Sequence, residues 1–460
     1  MLDGYVTDDL NSNTLASATG EDGMETDRYG LGLTTTSTIA ASHYRDGVDL
    51  MLAAWPGVTE CLEAAIAADP RFALAQLARG RVHQMYAEMA PAREKAALAR
   101  DLAKSCKARE QGHIEVIASA IEGQSARAIT AAESHLEDHP RDALALSTLL
   151  GAFGLYAFSG RADHDAARVA ICERHARHYG RDWWFMSYLG WSHTEAGNPG
   201  AGRLLCERSL EIRRANANAA HALSHALFEQ GELDACQAFM DDWLPGYDRA
   251  GILNAHLCWH VALGLLDKGD TAGALRIHDE RIALGVSQAT PLNAFTDVAS
   301  LLWRAELSGA PRRAAAWTEV AEYASRQFPK AGLAFSDMHH ALIAAATGNS
   351  ATAQSRLAEI EALRSAGKFA AGQVIADMTR GLLAFGAGDY AGAIAALQKV
   401  QSETVRIGGS HAQRELVEDT LIVAWLRGGE PAKARSLIDH RLHRRPSQRD
   451  VAWRQLTTAA

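Results

Sequence analysis

The sequence predicts an all-α protein that folds as a right-handed superhelical solenoid of about eleven helix pairs. Three observations support this prediction. Short turns that contain a glycine recur along the chain at intervals of 34 to 41 residues. Alanine, the residue with the highest helix propensity, is abundant between these turns. No segment shows the sustained alternation of apolar and polar residues that is typical of a β-strand.

Each glycine turn is expected to join the two helices of one pair. A glycine ends a helix in the left-handed conformation without the steric penalty of a Cβ atom. The Asp, Asn, Ser or Pro that follows several of these glycines favours the start of the second helix. The nine turn glycines are Gly123, Gly160, Gly197, Gly231, Gly269, Gly309, Gly348, Gly388 and Gly429.

The chain is expected to consist of a polar segment, residues 1–26, and one solenoid domain, residues 27–460. The first segment lacks the basic and apolar regions of a signal peptide. We expect it to lie in the groove of the solenoid or to cap the first repeat, because terminal repeats need a polar covering. No apolar run reaches the roughly 20 residues of a membrane-spanning helix.

Charge and cysteine usage narrow the range of partners and compartments. The formal net charge is −9, and the basic doublets are far apart. A nucleic-acid-binding protein normally carries a basic stripe, so nucleic acid is not expected as a partner, and neither is a membrane. The six cysteines form no CxxC pair, which indicates reduced thiols in a cytoplasmic protein. The sequence leaves the oligomeric state open.

A period near 34 to 41 residues with two helices per unit is typical of tetratricopeptide repeats (TPRs). Longer segments resemble the tetratricopeptide repeat protein 38 family, and the similarity covers about residues 27–449. These segments are DRYGLGLTTTSTIAASHYRDGVDLMLAAWPG, HALSHALFEQGELDACQAFMDDW, HLCWHVALGLLDKGD, TDVASLLWRAELSG and FSDMHHALIAAATG. The resemblance implies a TPR-like helical-repeat fold in a soluble intracellular protein, and it implies little chemistry.

Two histidine pairs at helical spacing form the main candidate site. Residues four apart lie on the same face of a helix, so each pair directs two imidazoles to one side. Counted from the turn glycines, the pairs occupy TPR positions 5/9 and 2/6, which face the groove. In peptide-binding TPR proteins these positions hold Lys and Asn residues that clamp a carboxylate, and here histidines replace them. The four residues are His221, His225, His256 and His260.

Four imidazoles on one wall could bind a divalent metal, coordinate an anion or transfer protons near neutral pH. They could also hydrogen-bond to neighbouring helices and have no further role. The glutamate of an HExxH zinc-protease motif is absent between His221 and His225. A GxSxG elbow and a phosphate-binding loop are absent too. A divalent metal therefore remains one cofactor that the sequence allows without requiring it.

Other polar and aromatic side chains are predicted at comparable heights of the groove. Further ligand-binding candidates are Trp184, Trp191, Trp303, Arg304, His340, His411 and Arg414. The catalytic candidates are His225, His260, Asp297, Asp337 and His339. A buried aspartate needs a partner, and we expect Arg304 to pair with Asp297 or Asp337. Aromatic residues in such rows often fill the space between helices instead. Glu195 and Glu229 lie near turns and are expected to be solvated.

Three functional hypotheses remain open at this point. The protein could bind a small molecule or a peptide in a histidine-rich concave groove, as repeat solenoids commonly do. It could instead be an enzyme, a hydrolase or acid–base catalyst with or without a metal, whose active site lies in the same groove. The histidines could also be structural, with partners binding only the outer surface. A closed bore would favour a small molecule, and an open groove would favour a peptide or protein.

Overall fold

The computed structural model describes residues 24–458, which fold into 23 α-helices. Within that range the only β-type pairing is an isolated bridge between Thr26 and Gly32. The helices are α1 (Thr38–Leu52), α2 (Val58–Ala68), α3 (Ala73–Met85), α4 (Met89–Leu102), α5 (Ala108–Ile121), α6 (Ser125–Asp138), α7 (Ala143–Ser147), α8 (His164–Tyr179), α9 (Trp183–Glu195), α10 (Pro199–Ile212), α11 (Ala217–Glu229), α12 (Leu233–Trp243), α13 (Asn254–Asp267), α14 (Thr271–Ile277), α15 (Pro291–Leu307), α16 (Ala314–Gln327), α17 (Ala334–Thr347), α18 (Ser350–Ser365), α19 (Gly372–Gly386), α20 (Tyr390–Val400), α21 (His411–Arg427), α22 (Pro431–Arg444) and α23 (Gln448–Leu456).

Helices α1 to α22 follow one another as eleven successive pairs, and α23 covers the last pair. The predicted all-α solenoid is therefore confirmed. All nine predicted turn glycines have a positive φ, between 70° and 95°, as a left-handed helix end requires. The fourth pair is irregular: α7 is a short helix, and a loop with a 3-10 turn at Ala157–Ser159 separates it from α8.

The first helix of most pairs lies inside the molecule, and the second lies outside. Nearly every residue of α9, α13, α15 and α17 is buried. Helices α16 and α18 bury only a narrow stripe, as amphipathic surface helices do. The inner helices are covered on both sides, so their faces do not form a wide solvent-filled groove.

Long-range contacts explain why the inner helices are covered. The start of α21 reaches back to the fifth pair, where the backbone N–H of His411 donates to Oε2 of Glu195 at 2.7 Å. On the opposite side, the loop after α1 meets α11, and the N–H of Ala217 donates to the carbonyl of Ala53 at 2.9 Å. These contacts show that the solenoid curls back on itself.

A network of buried ion pairs locks α21 onto the neighbouring helices. Asp419 accepts from Arg304 at 3.1 Å, from Arg441 at 2.7 Å and from Arg449 at 3.3 Å. Burial alone would raise the pKa of Asp419, but the charges of the three arginines outweigh burial and lower it. The expected pairing of Arg304 with Asp297 or Asp337 was wrong, because curling of the chain brings a carboxylate from α21 closer.

The polar segment predicted at residues 1–26 lies almost wholly outside the described residues. Of its last residues, Glu25 forms an ion pair with Arg45 of α1 at 2.9 Å. Whether the remainder lies in the groove or caps the first repeat therefore stays a prediction. Among the helices of residues 24–458, none combines the length and the hydrophobicity needed to cross a membrane.

Candidate metal centre

The two histidine pairs meet in one cluster between the adjacent inner helices α11 and α13. One ring nitrogen from each of the four residues can be chosen so that all four atoms lie within 4.8 Å of one another. The rings of His225 and His260 are closest, with centroids 4.2 Å apart, and those of His221 and His256 are 4.9 Å apart. We call these four residues, His221, His225, His256 and His260, the four-histidine cluster.

Local sequence explains how α11 presents its two histidines. The side chain of Asn216 caps the helix by accepting from the N–H of Ala219 at 3.2 Å, and its amide donates to Ser209 of α10 at 3.1 Å. The remaining positions of the helix are rich in small alanines, which allow the neighbouring inner helices to approach. His221 and His225 therefore face α13 one above the other.

Two carboxylates lie behind the cluster and orient its rings. Nδ1 of His256 lies 2.9 Å from Oδ2 of Asp297 on α15. Nδ1 of His225 lies 3.2 Å from Oε1 of Glu195 at the end of α9, although this contact is not well aligned as a hydrogen bond. A carboxylate at Nδ1 keeps the proton there and leaves Nε2 as a free lone pair, which is how proteins prepare histidines for metals.

The other two histidines are neutral, and of the two only His260 lacks a hydrogen-bond partner within residues 24–458. Burial, reinforced by neighbouring imidazoles, lowers the pKa of His221 and of His260 well below the usual histidine value. Both ring nitrogens of His260 are buried without a hydrogen-bond partner among the described residues. Buried polar atoms are nearly always paired in folded proteins, so the nitrogens of His260 are free to accept a ligand.

Glu195 contacts both the four-histidine cluster and α21, the helix that reaches back across the solenoid. Burial alone would raise its pKa, but the contact with His225 and the charge of Arg414 lower it, so the carboxylate is ionised. Its second oxygen accepts the first N–H of α21, where the helix dipole favours a negative charge. The expectation that Glu195 and Glu229 are solvated was wrong, since Glu195 is buried and Glu229 contacts His411 at 2.9 Å.

The distances within the cluster are close to those of a tetrahedral site. Two nitrogens bound to zinc at 2.0–2.1 Å lie about 3.3 Å apart. Nε2 of His221 and Nε2 of His225 are 3.1 Å apart. The two most distant ring nitrogens of the cluster are up to 4.8 Å apart, which exceeds the about 3.3 Å expected around zinc. The rings must therefore move inward by about an ångström to bind one ion together.

Aromatic rings shield the cluster from solvent. Trp191 stacks on His221 with ring centroids 5.3 Å apart and meets His225 edge-on at 4.7 Å. Trp259 stacks on His256 at 5.2 Å. His221 is the only member of the cluster that is partly exposed. The cluster is therefore enclosed on most sides and accessible at His221.

The structure brings Asp297 and Trp191 to the cluster, whereas the other predicted site residues have partners elsewhere. Burial lowers the pKa of His339 to about 4 and that of His340 to about 3, so both are neutral packing residues. The partners outside the cluster are Tyr179 for Trp184, Thr420 for Trp303, Asp419 for Arg304, Arg356 for Asp337, the Phe335 carbonyl for His339, Phe295 for His340, Glu229 for His411 and Asp165 for Arg414.

No protein-family model matches the chain. The solved structures similar to it include Naa15/Naa10 bound to HypK-THB, at 12% identity over 88% of this chain, with a TM-score of 0.24. Yeast Tom70 is 13% identical over 90% of this chain and 86% of its own, with a TM-score of 0.29. The TPR domain of P58(IPK) is 15% identical over 84% of this chain and 98% of its own, with a TM-score of 0.20.

The fold of this chain is TPR-like. That statement rests on its own helix pairs and glycine turns, since the likeness to the solved structures is distant. The chain spans 64% of the length of the first of these proteins.

Proposed function

We propose that this TPR-like protein holds a divalent transition metal, zinc in the first place, in the four-histidine cluster and binds a small molecule beside it. The observation that carries the proposal is the convergence of four imidazoles with two carboxylates behind them and an unpaired His260 at the centre. Neutral imidazoles suit zinc, and the ion accepts tetrahedral nitrogen sets. Bound zinc would supply a Lewis acid at the closed interior of the repeats.

The partial exposure of His221 bears on whether the metal would be structural or functional. His225, His256 and His260 are buried, whereas His221 is partly exposed. Three buried ligands and one accessible ligand would let an entering molecule meet the metal on the side of His221. Four permanent protein ligands would instead make a closed structural site. The unequal burial favours the open arrangement, and with it a ligand-binding function.

An enzyme is the second candidate, a hydrolase or an acid–base catalyst at the same cluster. The observation that favours it is again the accessibility of His221, whose neutral imidazole would serve as a base when the cluster holds no metal. The other catalytic candidates, Asp337 and His339, have partners away from the cluster and are not included in this proposal.

The finer classification of the protein is also a proposal. The segments quoted above support membership of the tetratricopeptide repeat protein 38 family, with residues 27–460 as one domain. Six free cysteines support a reducing, cytoplasmic location. The curled repeats leave the outer helices available as a scaffold for protein partners, as in other solenoids.

The test is a metal titration of the full-length protein. We expect the chelator-stripped protein to bind one zinc ion per chain by calorimetry. At a free zinc concentration 100 times the Kd, zinc should stabilise the fold by about 2.7 kcal/mol. The double variant His225→Ala/His260→Ala should lose both effects. The matched control is His339→Ala, which removes a buried histidine of α17 outside the cluster.

Two results would contradict the metal proposal. One is a stripped wild-type protein that takes up no zinc, copper, nickel, cobalt or iron in stoichiometric amount. The other is an equal loss of binding in the control variant, which would indicate damage to the fold instead of loss of ligands.

A further inference from the structure

A cavity of about 440 Å³ lies between the loop after α1, the start of α2, the end of α3 and the segment before α13. Its volume is in the range of small-molecule sites in proteins. No lysine, arginine or histidine is among the residues that line it, and its one carboxylate belongs to Glu60. Since Glu60 is exposed, it lies at the mouth. The larger apolar and aromatic side chains of the wall are Met51, Trp55, Val82, Met85, Tyr86 and Ile252.

Trp55 is held in place by two buried aromatic rings. Its ring meets that of Trp243 edge-on, with centroids 6.0 Å apart, and lies 5.0 Å from the ring of Tyr247. The Tyr247 hydroxyl donates to the carbonyl of Ala54, the residue before Trp55, at 2.6 Å. Trp243 and Tyr247 are buried, whereas Trp55 is only partly buried. The indole is therefore a preformed wall of the cavity.

The backbone is strained beside both aromatic residues of the wall. Ala54, which precedes Trp55, has a φ of 51°, and Ala87, which follows Tyr86, has a φ of 58°. Within residues 24–458 these two are the only residues other than glycine with a positive φ. A side chain with a Cβ atom disfavours this conformation, and strain of this kind concentrates at ligand sites. The positions of both rings are thus fixed at an energetic cost.

Glu60 is a carboxylate without a cationic partner. Among the described residues it forms no hydrogen bond and no ion pair, whereas Glu63, one turn later on α2, pairs with Arg79 at 2.6 Å. Burial raises the pKa of the Tyr86 hydroxyl, and the charges of Glu60 and Glu88 raise it further. Both charges that act on this hydroxyl are therefore negative.

These features together select one kind of guest. The apolar wall suits the body of a small molecule, and the faces of aromatic rings attract cations. The carboxylate at the mouth attracts a positive charge and repels a negative one. A neutral molecule gains only the apolar contacts.

We propose that the cavity binds a small organic ammonium ion, with its apolar body against Trp55 and Met85 and its cationic head at the mouth between Glu60 and the ring of Tyr86. This inference goes beyond the proposed function and does not rest on a bound metal, because no residue of the cavity belongs to the four-histidine cluster.

The probe is octylammonium, with octanol as its neutral and octanoate as its anionic counterpart. Each is titrated by calorimetry into the full-length, chelator-stripped protein at pH 7. We expect one octylammonium per chain, bound about fivefold more tightly than octanol, because only the cation gains from the aromatic face and the exposed carboxylate. Octanoate should bind more weakly than octanol, because Glu60 repels it.

Single substitutions test each part of the site. Glu60→Gln should weaken octylammonium binding about threefold and leave octanol binding unchanged. The matched control, Glu63→Gln, makes the same change of net charge on the same helix and should behave like the wild type. Tyr86→Leu keeps an apolar wall but removes the aromatic face, so it should weaken octylammonium alone. Met85→Trp should fill the cavity and weaken all three probes.

The proposal is overturned if millimolar octylammonium does not bind, if octanol or octanoate binds as tightly, or if Glu60→Gln and Glu63→Gln have equal effects. Thermal unfolding of each variant identifies a folding defect. A folded Met85→Trp protein that binds octylammonium like the wild type would exclude the cavity as the site. If Met85→Trp does not fold, Glu60→Gln and Tyr86→Leu decide the outcome. Because the protein is stripped of metal, failure of this proposal and failure of the metal proposal are separate results.

Discussion

Two histidine clusters of this protein use carboxylates in opposite ways. In the N-terminal half, His113 and His135 both contact one central carboxylate, Asp142, at 2.9 Å. In the four-histidine cluster the carboxylates stand at the back, at Nδ1 of His225 and His256, and the centre holds only imidazoles. The central anion is the partner of one ring nitrogen of each histidine in the first cluster. In the second cluster Nε2 of His221 and Nε2 of His225 contact each other at 3.1 Å, and both ring nitrogens of His260 lack a hydrogen-bond partner among the described residues.

The comparison distinguishes histidines that stabilise the fold from histidines that are arranged to bind a ligand. Asp142 also caps α7 by accepting from the N–H of Ala145 at 3.2 Å, so its cluster fixes a helix start in the core. Burial would raise the pKa of Asp142, but His113, His135 and Arg109 lower it far below the usual range. Both clusters are largely buried, the first with two histidines and the second with four, and the position of the carboxylate differs between them.

Removal of the Asp142 carboxylate, the central anion of the first cluster, should have the largest effect, and that effect is on stability. Asp142→Asn leaves two buried histidines without their counter-charge, and loss of one partner of a buried pair costs about 3–5 kcal/mol. We expect the free energy of unfolding, measured with urea at pH 7, to fall by about 3 kcal/mol. Zinc stoichiometry should not change, because the four-histidine cluster is untouched.

The pH dependence provides a second measurement on the same variant. The folded-state pKa of Asp142 is lowered, so its contribution is present above the unfolded-state value of about 4 and is lost as the pH falls. The stability difference between wild type and Asp142→Asn should therefore narrow below about pH 4. A constant difference from pH 7 to pH 3 would show that the contribution comes from packing or capping and not from charge.

Removal of a rear carboxylate should affect metal affinity more than stability. Asp297→Asn keeps the shape of the side chain but removes the charge that holds the proton on Nδ1 of His256. Outer carboxylates of this kind are typically worth 10–100-fold in affinity, and for this isosteric change we expect about tenfold. The matched control is Asp337→Asn, a buried aspartate that pairs with Arg356 on α18. Calorimetric zinc titrations that give equal losses for the two variants would contradict the distinction between the clusters.

Sequence predicted the parts of this site that depend on short-range order. The glycine turns and the four-residue spacing of His221 and His225 are local features, and both survive folding as expected. Adjacent repeats also stack in register, so the meeting of His225 with His260 follows from the repeat itself.

The partners of the cluster could not be predicted in the same way. Glu195 contacts the backbone of His411, 216 residues later, and Arg304 pairs with Asp419, 115 residues later. Such contacts depend on how strongly the solenoid curls, which is the sum of small rotations over all repeats. A one-dimensional pattern contains no signal for that sum, so burial of Glu195 and the partner of Arg304 were both predicted wrongly.

The smallest effect on zinc affinity should come from loss of the hydrogen bond between the backbone N–H of His411 and Glu195, which joins α21 to the cluster. One pair of variants isolates this hydrogen bond. His411 is the first residue of α21, and Ser410 before it is extended, so proline fits there without strain. His411→Pro and His411→Ala both remove the contact with Glu229, but only proline also removes the N–H that Glu195 accepts. Glu195 would then orient His225 less firmly, and we expect zinc affinity about threefold weaker for the proline variant than for the alanine variant, below the 10–100-fold of a direct carboxylate partner. Competition titrations with a chromogenic chelator resolve that difference. Equal zinc affinities would mean that the contact between α21 and Glu195 does not influence the cluster.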